Sequence, residues 1–340
     1  MSEGSFQVQR RTRASQAGAV AGLLLVIALA TLPWWGGSDT MRLFVEFACF
    51  LVLAQMWNLL AGYGGLVSVG QQAYLGLGGY ALIVLANKLD VNPFLAVPLA
   101  GAIAGLIAIP TSQVVFRLQG GYFAIGTWVV AEVYRLLVAN TSTIGGGSGT
   151  SLTAMRGIPK SFRESVTFWI ALALLVIVLA LVYLLLRSRY GLGLTAMRDS
   201  EMASESQGIA VKRTKLTVYL ISAVGCGLTG ALYFLNVLRI SPDAAFGVNW
   251  SAFIIFIVVI GGIGTIEGPI VGTILYFVLR QFLGDYGTWY LIILGSVAIV
   301  TMVKFPYGLW GYVARRFDIQ FFPVQRRIYF PDESPNPIPK

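Results

Sequence analysis

A chain of 340 residues with 56% hydrophobic and 11% charged residues carries less than half the charge of a soluble domain, where about a quarter of residues are charged. Its mean hydropathy of +0.75 places it in a bilayer, and about ten spans of roughly 20 residues each would use most of its length, which excludes a separate soluble domain. The absence of histidine excludes histidine-based catalysis and histidine metal ligation; the net charge of +9 needs no nucleic acid, because basic residues orient a membrane chain and face anionic lipid.

Ten apolar runs follow in order, near 17–35, 43–61, 65–87, 94–116, 122–138, 165–186, 216–238, 250–264, 268–282 and 287–303. They predict an all-α membrane protein, a polytopic helical bundle of about ten transmembrane spans. Ahead of the first run, Arg10, Arg11 and Arg13 fit the flank of a retained span. With Ala28, Leu29 and Ala30 as a small-x-small site, the same stretch also fits a cleaved signal. Pro33, Trp34 and Trp35 suit the interfacial belt of a retained span. With a cytoplasmic N-terminus, 16 of the 24 Lys and Arg residues fall on the cytoplasmic side, so the positive-inside rule puts both termini there. The chain then divides into a cytoplasmic N-terminal tail at 1–16, a transmembrane domain at 17–303 and a cytoplasmic C-terminal tail at 304–340. A cytoplasmic loop at 187–215 interrupts the transmembrane domain. The 39 glycines fit a tightly packed bundle, since small residues let membrane helices approach closely. Cys49 and Cys226 lie in apolar runs and read as small core residues.

Two stretches break the helical pattern. In 58–72, NLLAGYGGLVSVGQQ, glycines interrupt an apolar run and Asn58, Ser68, Gln71 and Gln72 bring polar groups to membrane depth. In 261–272, GGIGTIEGPIVG, the same happens near the other end of the chain. Paired Gly/Pro interruptions in the two halves point to a transporter's substrate path, because unwound backbone is tolerated only where it is buried or lines a cavity. Tight turns between neighbouring spans are the alternative for both. Three ionisable residues, Glu46, Glu132 and Arg135, also fall within or near the ends of apolar runs, where a charge costs about 2.5–3.5 kcal/mol or more and needs a partner or water. Glu132 and Arg135, three apart, are spaced to pair on one helix face; contact with a passing substrate is the other reading. The glycines at 145–149 lack the Lys and Ser/Thr of a phosphate-binding loop.

The 187–215 loop is the one long charged block between greasy runs. Its pattern predicts a short helix capped by Thr195 and ending at Gly208, with Arg198, Glu201, Met202 and Glu205 along one side. Such a stripe of mixed charge fits a solvated surface helix or the docking surface of a polar partner.

The segments 58–70, 120–124 (GGYFA), 189–209, 240–243 (ISPD), 261–264 and 268–269 together resemble the branched-chain amino-acid permeases of ATP-binding-cassette importers, and the resemblance runs from about 45 to 305. In length and in the long 187–215 loop, the chain resembles the larger of the two permeases that pair in such importers. The resemblance implies a bacterial inner-membrane multi-pass subunit working with a second, homologous permease. It further implies two cytoplasmic ATPases and a periplasmic or lipid-anchored substrate-binding protein. ATP would be bound by the ATPases; this chain is expected to hold no cofactor and no catalytic or metal site of its own. The helix carrying Arg198, Asp199, Glu201, Met202, Glu205 and Gly208 matches the family's coupling helix, which enters a cleft of the ATPase. Asn58, Ser68, Gln71, Gln72 and Glu132 are the expected polar residues of the substrate path. Two departures stand out: Gln71 and Gln72 make the first broken stretch amide-rich, and Ser204 and Ser206 make the coupling helix more polar than an alanine-rich version. The expected activity is alternating-access import of branched-chain or related amino acids. Alternatives are import of urea or short amides by the same kind of machine, an ion-coupled secondary transporter, or a membrane-embedded enzyme.

Overall fold

The computed structural model describes residues 7–9, 13–286, 289–317, 321–324 and 327–329. Arg10, Arg11, Arg326 and Lys340, four of the orienting charges, lie outside them. Each apolar run becomes helix. α1 (Arg13–Ala30) precedes a short Leu32–Trp35 turn, and α2 (Ser38–Asn58) winds on into a wider π-turn, Leu59–Tyr63. α3 (Gln72–Lys88) is followed by α4 (Pro93–Val115), where Pro93 opens the helix and the Asn92 Oδ1 accepts the otherwise orphaned Phe94 N–H at 3.0 Å. Next come α5 (Gly121–Ala139) and α6 (Lys160–Arg187), then two short helices, α7 (Arg189–Asp199) and α8 (Glu201–Ser206). α9 (Val211–Val237), the five-residue α10 (Pro242–Phe246) and α11 (Asn249–Gly261) lead to α12 (Glu267–Leu283), α13 (Trp289–Lys304) and α14 (Gly308–Phe317).

Among the described residues seven helical stretches are long and apolar enough to cross a membrane, against the ten runs counted in the sequence. α10 joins α11 in one of the seven, and α13 joins α14 in another. The runs that fall short are those of α1, α3 and α12. For α3 the reason is physical: the run near 65–87 spends its first residues as extended chain, which leaves 17 for the helix.

The bundle is built around α9, which packs on α2, α3 and α4. Lipid is as apolar as leucine, so contact between these helices is held by close packing more than by the hydrophobic effect. Gly78 of α3 and Gly227 of α9 meet backbone to backbone, and a Cβ at Gly78 would fall inside the Gly227 carbonyl. Charges inside the runs or at their edges find partners: Arg280 pairs with Glu46, and the Arg42 Nε donates to the Glu164 Oε1 at 2.9 Å. Cys49 and Cys226 are buried free thiols, as their surroundings predict. Trp34 is 74% exposed and meets the Trp169 ring edge-on, in keeping with an interfacial belt. Near the chain ends, β1 (Gln7–Gln9) pairs antiparallel with β4 (Arg327–Tyr329), after β2 (Thr150–Ser151) has paired with β3 (Arg239–Ile240). The two terminal segments therefore lie at one end of the molecule. Phe322 stacks edge-on against Tyr183, one turn before α6 enters the charged loop, so the loop shares that end.

Candidate functional site

The first glycine-rich stretch is not a turn. After the π-turn the chain runs from Gly64 to Gln71 without helix: Gly65 (φ 71°) turns it, and from there Leu66 and Ser68 are buried and Val67 exposed in the alternation of an extended strand. Non-helical backbone at this depth must have its polar groups satisfied by protein, and side chains from three helices do it. The Trp57 Nε1 donates to the Ser68 carbonyl at 2.7 Å, and the Val69 N–H donates to the Thr127 Oγ1 of α5 at 3.1 Å. The Ser251 Oγ of α11 donates to the Val69 carbonyl at 3.1 Å, while the Ser68 Oγ accepts from the Gly70 N–H at 3.2 Å. Gly70 lies so close under Thr127 that a Cβ would enter the Thr127 carbonyl.

The two glutamines that end this segment turn into the bundle. Gln71 donates its Nε2 to the Ser222 Oγ of α9 at 2.8 Å, and Ser222 passes the chain on to the Met56 carbonyl at 3.3 Å. Gln72 is 1% exposed; its Oε1 shares the one Ser251 hydroxyl proton with the Val69 carbonyl, and its Nε2 has no hydrogen-bond partner among the described residues. A buried amide left half-satisfied costs about 1–3 kcal/mol. Among the polar side chains expected to line a path, Gln72 alone has a buried polar atom with no hydrogen-bond partner at all among the described residues.

The second stretch is the tight turn between α11 and α12 that the sequence allowed: Gly262 (φ 133°) and Gly264 (φ 76°) reverse the chain, and Glu267, Gly268 and Pro269 form the first turn of α12. The two stretches nonetheless meet. Asn58 donates its Nδ2 to the Thr265 carbonyl at 2.7 Å and accepts the Gly264 N–H on its Oδ1 at 2.8 Å, so both ends of its amide are used. One turn earlier the Gln55 Nε2 donates to the Ile266 carbonyl at 2.6 Å. Gly62 lies directly against Gly264, where a Cβ would stand 2.7 Å from the Gly264 nitrogen.

The charged loop differs from its predicted form. The single helix capped by Thr195 is two helices broken at Ser200, whose backbone is extended and whose Oγ accepts the Ala203 N–H at 3.3 Å. Thr195 sits inside α7, its hydroxyl donating to the Leu192 carbonyl at 3.0 Å. An interior threonine bonded back along its own helix is not free to cap, whereas the non-helical Ser200 is. The predicted stripe is thereby divided. Glu201, Met202 and Glu205 stay together on α8, with Met202 82% exposed, and Lys215 of α9 pairs with Glu201. Arg198, in the last turn of α7, keeps a partly exposed side chain that reaches to the end of α2, where its Nη1 donates to the Gly62 carbonyl at 3.1 Å while Asp199 holds its Nε at 3.1 Å. Leu194 and Met197 anchor the same helix in the core. Gly208 takes the left-handed turn foreseen for it (φ 81°).

Glu132 and Arg135 do pair on one face of α5, and Asp243 of α10 joins them: the guanidinium donates to both Glu132 oxygens and, through Nη1, to the Asp243 Oδ1 at 2.6 Å. Two carboxylates on one guanidinium leave the cluster with one negative charge in excess. Glu132 shares no hydrogen bond with Gln71, Gln72 or Ser251; it lies further along the helix whose Thr127 holds Val69. The sequence reading missed Thr127, Ser251 and Asp243. Thr127 and Ser251 are polar residues inside apolar runs, which is a signal, but one too common in membrane helices to choose them.

Comparison with known proteins gives the family of the chain. The family described as branched-chain amino acid transport system / permease component matches residues 40–302. The chain is 30% identical to the high-affinity branched-chain amino acid transport system permease protein LivM of Escherichia coli K12, over 84% of this chain and 73% of that one. It is 26% identical to a probable branched-chain amino acid transport permease LivM of Methanocaldococcus jannaschii (71% and 80% covered), and 27% identical to the fructose import permease FruG of Bifidobacterium longum (77% and 80%). No solved structure matches the chain.

Proposed function

The chain belongs to the branched-chain amino-acid transport-system permease family, and from that premise we propose that it is one membrane subunit of an importer that carries branched-chain or related amino acids inward, driven by separate ATPases. The observation that carries the proposal is the junction at Gly62: a break in α2, a turn between α11 and α12, and an arginine from the exposed loop meet at one point. A transport subunit needs such a junction, because a partner below has to bias a two-state element within the membrane. A second permease, two ATPases bound beneath α7 and α8, and a substrate-binding protein at the opposite face complete the machine. The membrane is the bacterial inner membrane. Both termini lie in the cytoplasm with the loop, and α1, α3 and α12 bring the spans to ten. Shared placement of the tails and the loop supports this topology.

The exposed trio of Glu201, Met202 and Glu205 is the ATPase-docking surface, framed by Arg198, Asp199 and Gly208. Ser68, Gln71 and Gln72 line the path at the unwound segment, with Asn58 as the clasp at its cytoplasmic end. Glu132 faces substrate near the outer end, where the excess negative charge of its cluster with Arg135 and Asp243 suits an ammonium group. A sugar is the second reading, since a fructose permease is among the relatives.

The test is uptake by the complete complex reconstituted in vesicles, with leucine, isoleucine, valine, fructose, ribose and urea as the panel. ATP-dependent, ionophore-insensitive uptake of the amino acids is the expected result. Uptake that needs an ion gradient, or that is confined to a sugar or urea, would overturn the reading. In the same preparation Glu201→Lys with Glu205→Lys releases the ATPases; their retention at full stoichiometry would remove α8 as the docking surface.

A further inference from the structure

The direction in which Arg198 points separates it from the rest of the loop's charges. Its aliphatic stem lies over Gly65, whose left-handed backbone (φ 71°) and missing side chain leave the room, since a Cβ there would stand 3.2 Å from the Arg198 Cγ. The guanidinium reaches the carbonyl of Gly62 at the end of the π-turn. The last carbonyls of a helix have no partner within it, and the negative end of the helix dipole favours a cation there. Its neighbours are served by backbone, Leu60 by the Leu66 N–H at 3.0 Å and Ala61 by the Gly65 N–H at 3.1 Å. Arg198 serves Gly62. The other face of Gly62 rests on Gly264, which Asn58 ties to the end of α2. The loop's arginine and the turn joining α11 to α12 thus meet at the Gly62 carbonyl, and the Arg198 Nη1 stands close enough to the turn that a Cβ on Gly264 would lie 3.7 Å from it. Single π-turns of this kind are frequent at functional sites.

We propose that Arg198 is a positioning residue of the transport cycle: it is the link through which movement of α7 and α8 is passed to the end of α2 and, across Gly62, to the α11–α12 turn, and it does not itself contact the ATPase. This rests on the reading of α8 as the docking surface. Asp199, bonded to the Arg198 Nε, holds the guanidinium at the angle the Gly62 carbonyl requires. Lysine can supply one donor at that position but not the planar fork.

The experiment compares Arg198→Ala and Arg198→Lys in the complete reconstituted complex, measuring ATPase stoichiometry, the rate of ATP hydrolysis and leucine taken up per ATP hydrolysed. A cysteine cross-link from Met202→Cys to the ATPase reports docking independently. Arg198→Ala is expected to leave stoichiometry, cross-link and hydrolysis near wild type and to lower leucine per ATP about tenfold, the order expected for losing one charge-assisted hydrogen bond. Arg198→Lys falls between the two. Asn58→Ala, far from the loop surface, reproduces the uncoupling because it releases the same junction from its other side. Unchanged leucine per ATP in Arg198→Ala overturns the proposal while leaving the docking reading intact. Loss of the ATPases from Arg198→Ala overturns it as well, since Arg198 would then be a docking residue. Failure of the wild-type cross-link instead sinks the docking reading itself. Should Arg198→Ala not reach the membrane, Arg198→Lys and Asn58→Ala carry the test by the same outcomes.

Discussion

Gly70 has no space for even a methyl group, because the atom it would meet is the Thr127 carbonyl, part of α5's backbone. Backbone moves only if the helix moves, so Gly70→Ala should cost about 1–3 kcal/mol through overpacking and lower the thermal midpoint of the purified protein. Gly22→Ala, where nothing lies within 4 Å, should leave the midpoint unmoved, and equal midpoints for the two variants would show that the extended segment is not clamped against α5. The same crowding explains what was and was not legible at this scale. Asn58, Gln71 and Gln72 announce themselves as amides in an apolar run, and they are indeed buried. Their partners do not: Ser222, Ser251 and Thr265 are distant in sequence, and only the packing of α2, α9 and α11 brings them within reach. Arg135 is a partial case. Its bond to Glu132 follows from helical spacing, whereas its bond to Asp243 depends on where α10 comes to rest.

Helix existence was legible in every apolar run, because hydropathy alone decides whether a segment can leave water. Helix ends were legible where a local chemical signal fixes them, as at Asn92 and Pro93. The loop misled because its spacing permits one continuous helix from Thr195 to Gly208, and nothing in that spacing says that Ser200 will adopt an extended backbone. Once it does, α8 is left with only six residues, far below the length at which an isolated helix holds itself together. It then depends on its cap. The Ser200 Oγ satisfies the Ala203 N–H, and Ser200→Ala should cost about 1 kcal/mol of local stability. If α8 is the docking surface, it must be folded to dock, and that loss should then weaken ATPase binding roughly fivefold; in either case it should speed hydrogen exchange across residues 201–206. Ser200→Asp, which restores a capping oxygen, should recover both. Recovery by neither Asp nor Asn would mean that the break is fixed by contacts of α7 and not by the cap.

At the scale of the whole molecule, the arrangement is one of sides. The two tails pair through β1 and β4, the C-terminal segment packs beside the end of α6 through Phe322 and Tyr183, and α7 and α8 follow directly from that end. If this end is cytoplasmic, the basic residues of the loop and tails lie where the positive-inside rule puts them, and α8 lies where a soluble ATPase can reach it. The opposite face then carries the segment around Ser148 and the mouth of the Glu132–Arg135–Asp243 cluster. The two native cysteines are buried, so an introduced cysteine reports without background. In sealed right-side-out vesicles a membrane-impermeant maleimide should label Ser148→Cys at once. It should reach Met202→Cys and Phe317→Cys, both at exposed positions, only after the vesicles are opened. Labelling of Met202→Cys in sealed vesicles would turn the molecule over. It would also place α8 on the side without ATP, and the coupling role of the loop would fall with it. Protection of Ser148→Cys in opened as well as sealed vesicles would separate the two ideas: the loop would remain cytoplasmic, but the 140–159 segment would be covered by a partner, and adding the complete complex's substrate-binding protein to detergent-solubilised material would show whether that cover is the docked protein.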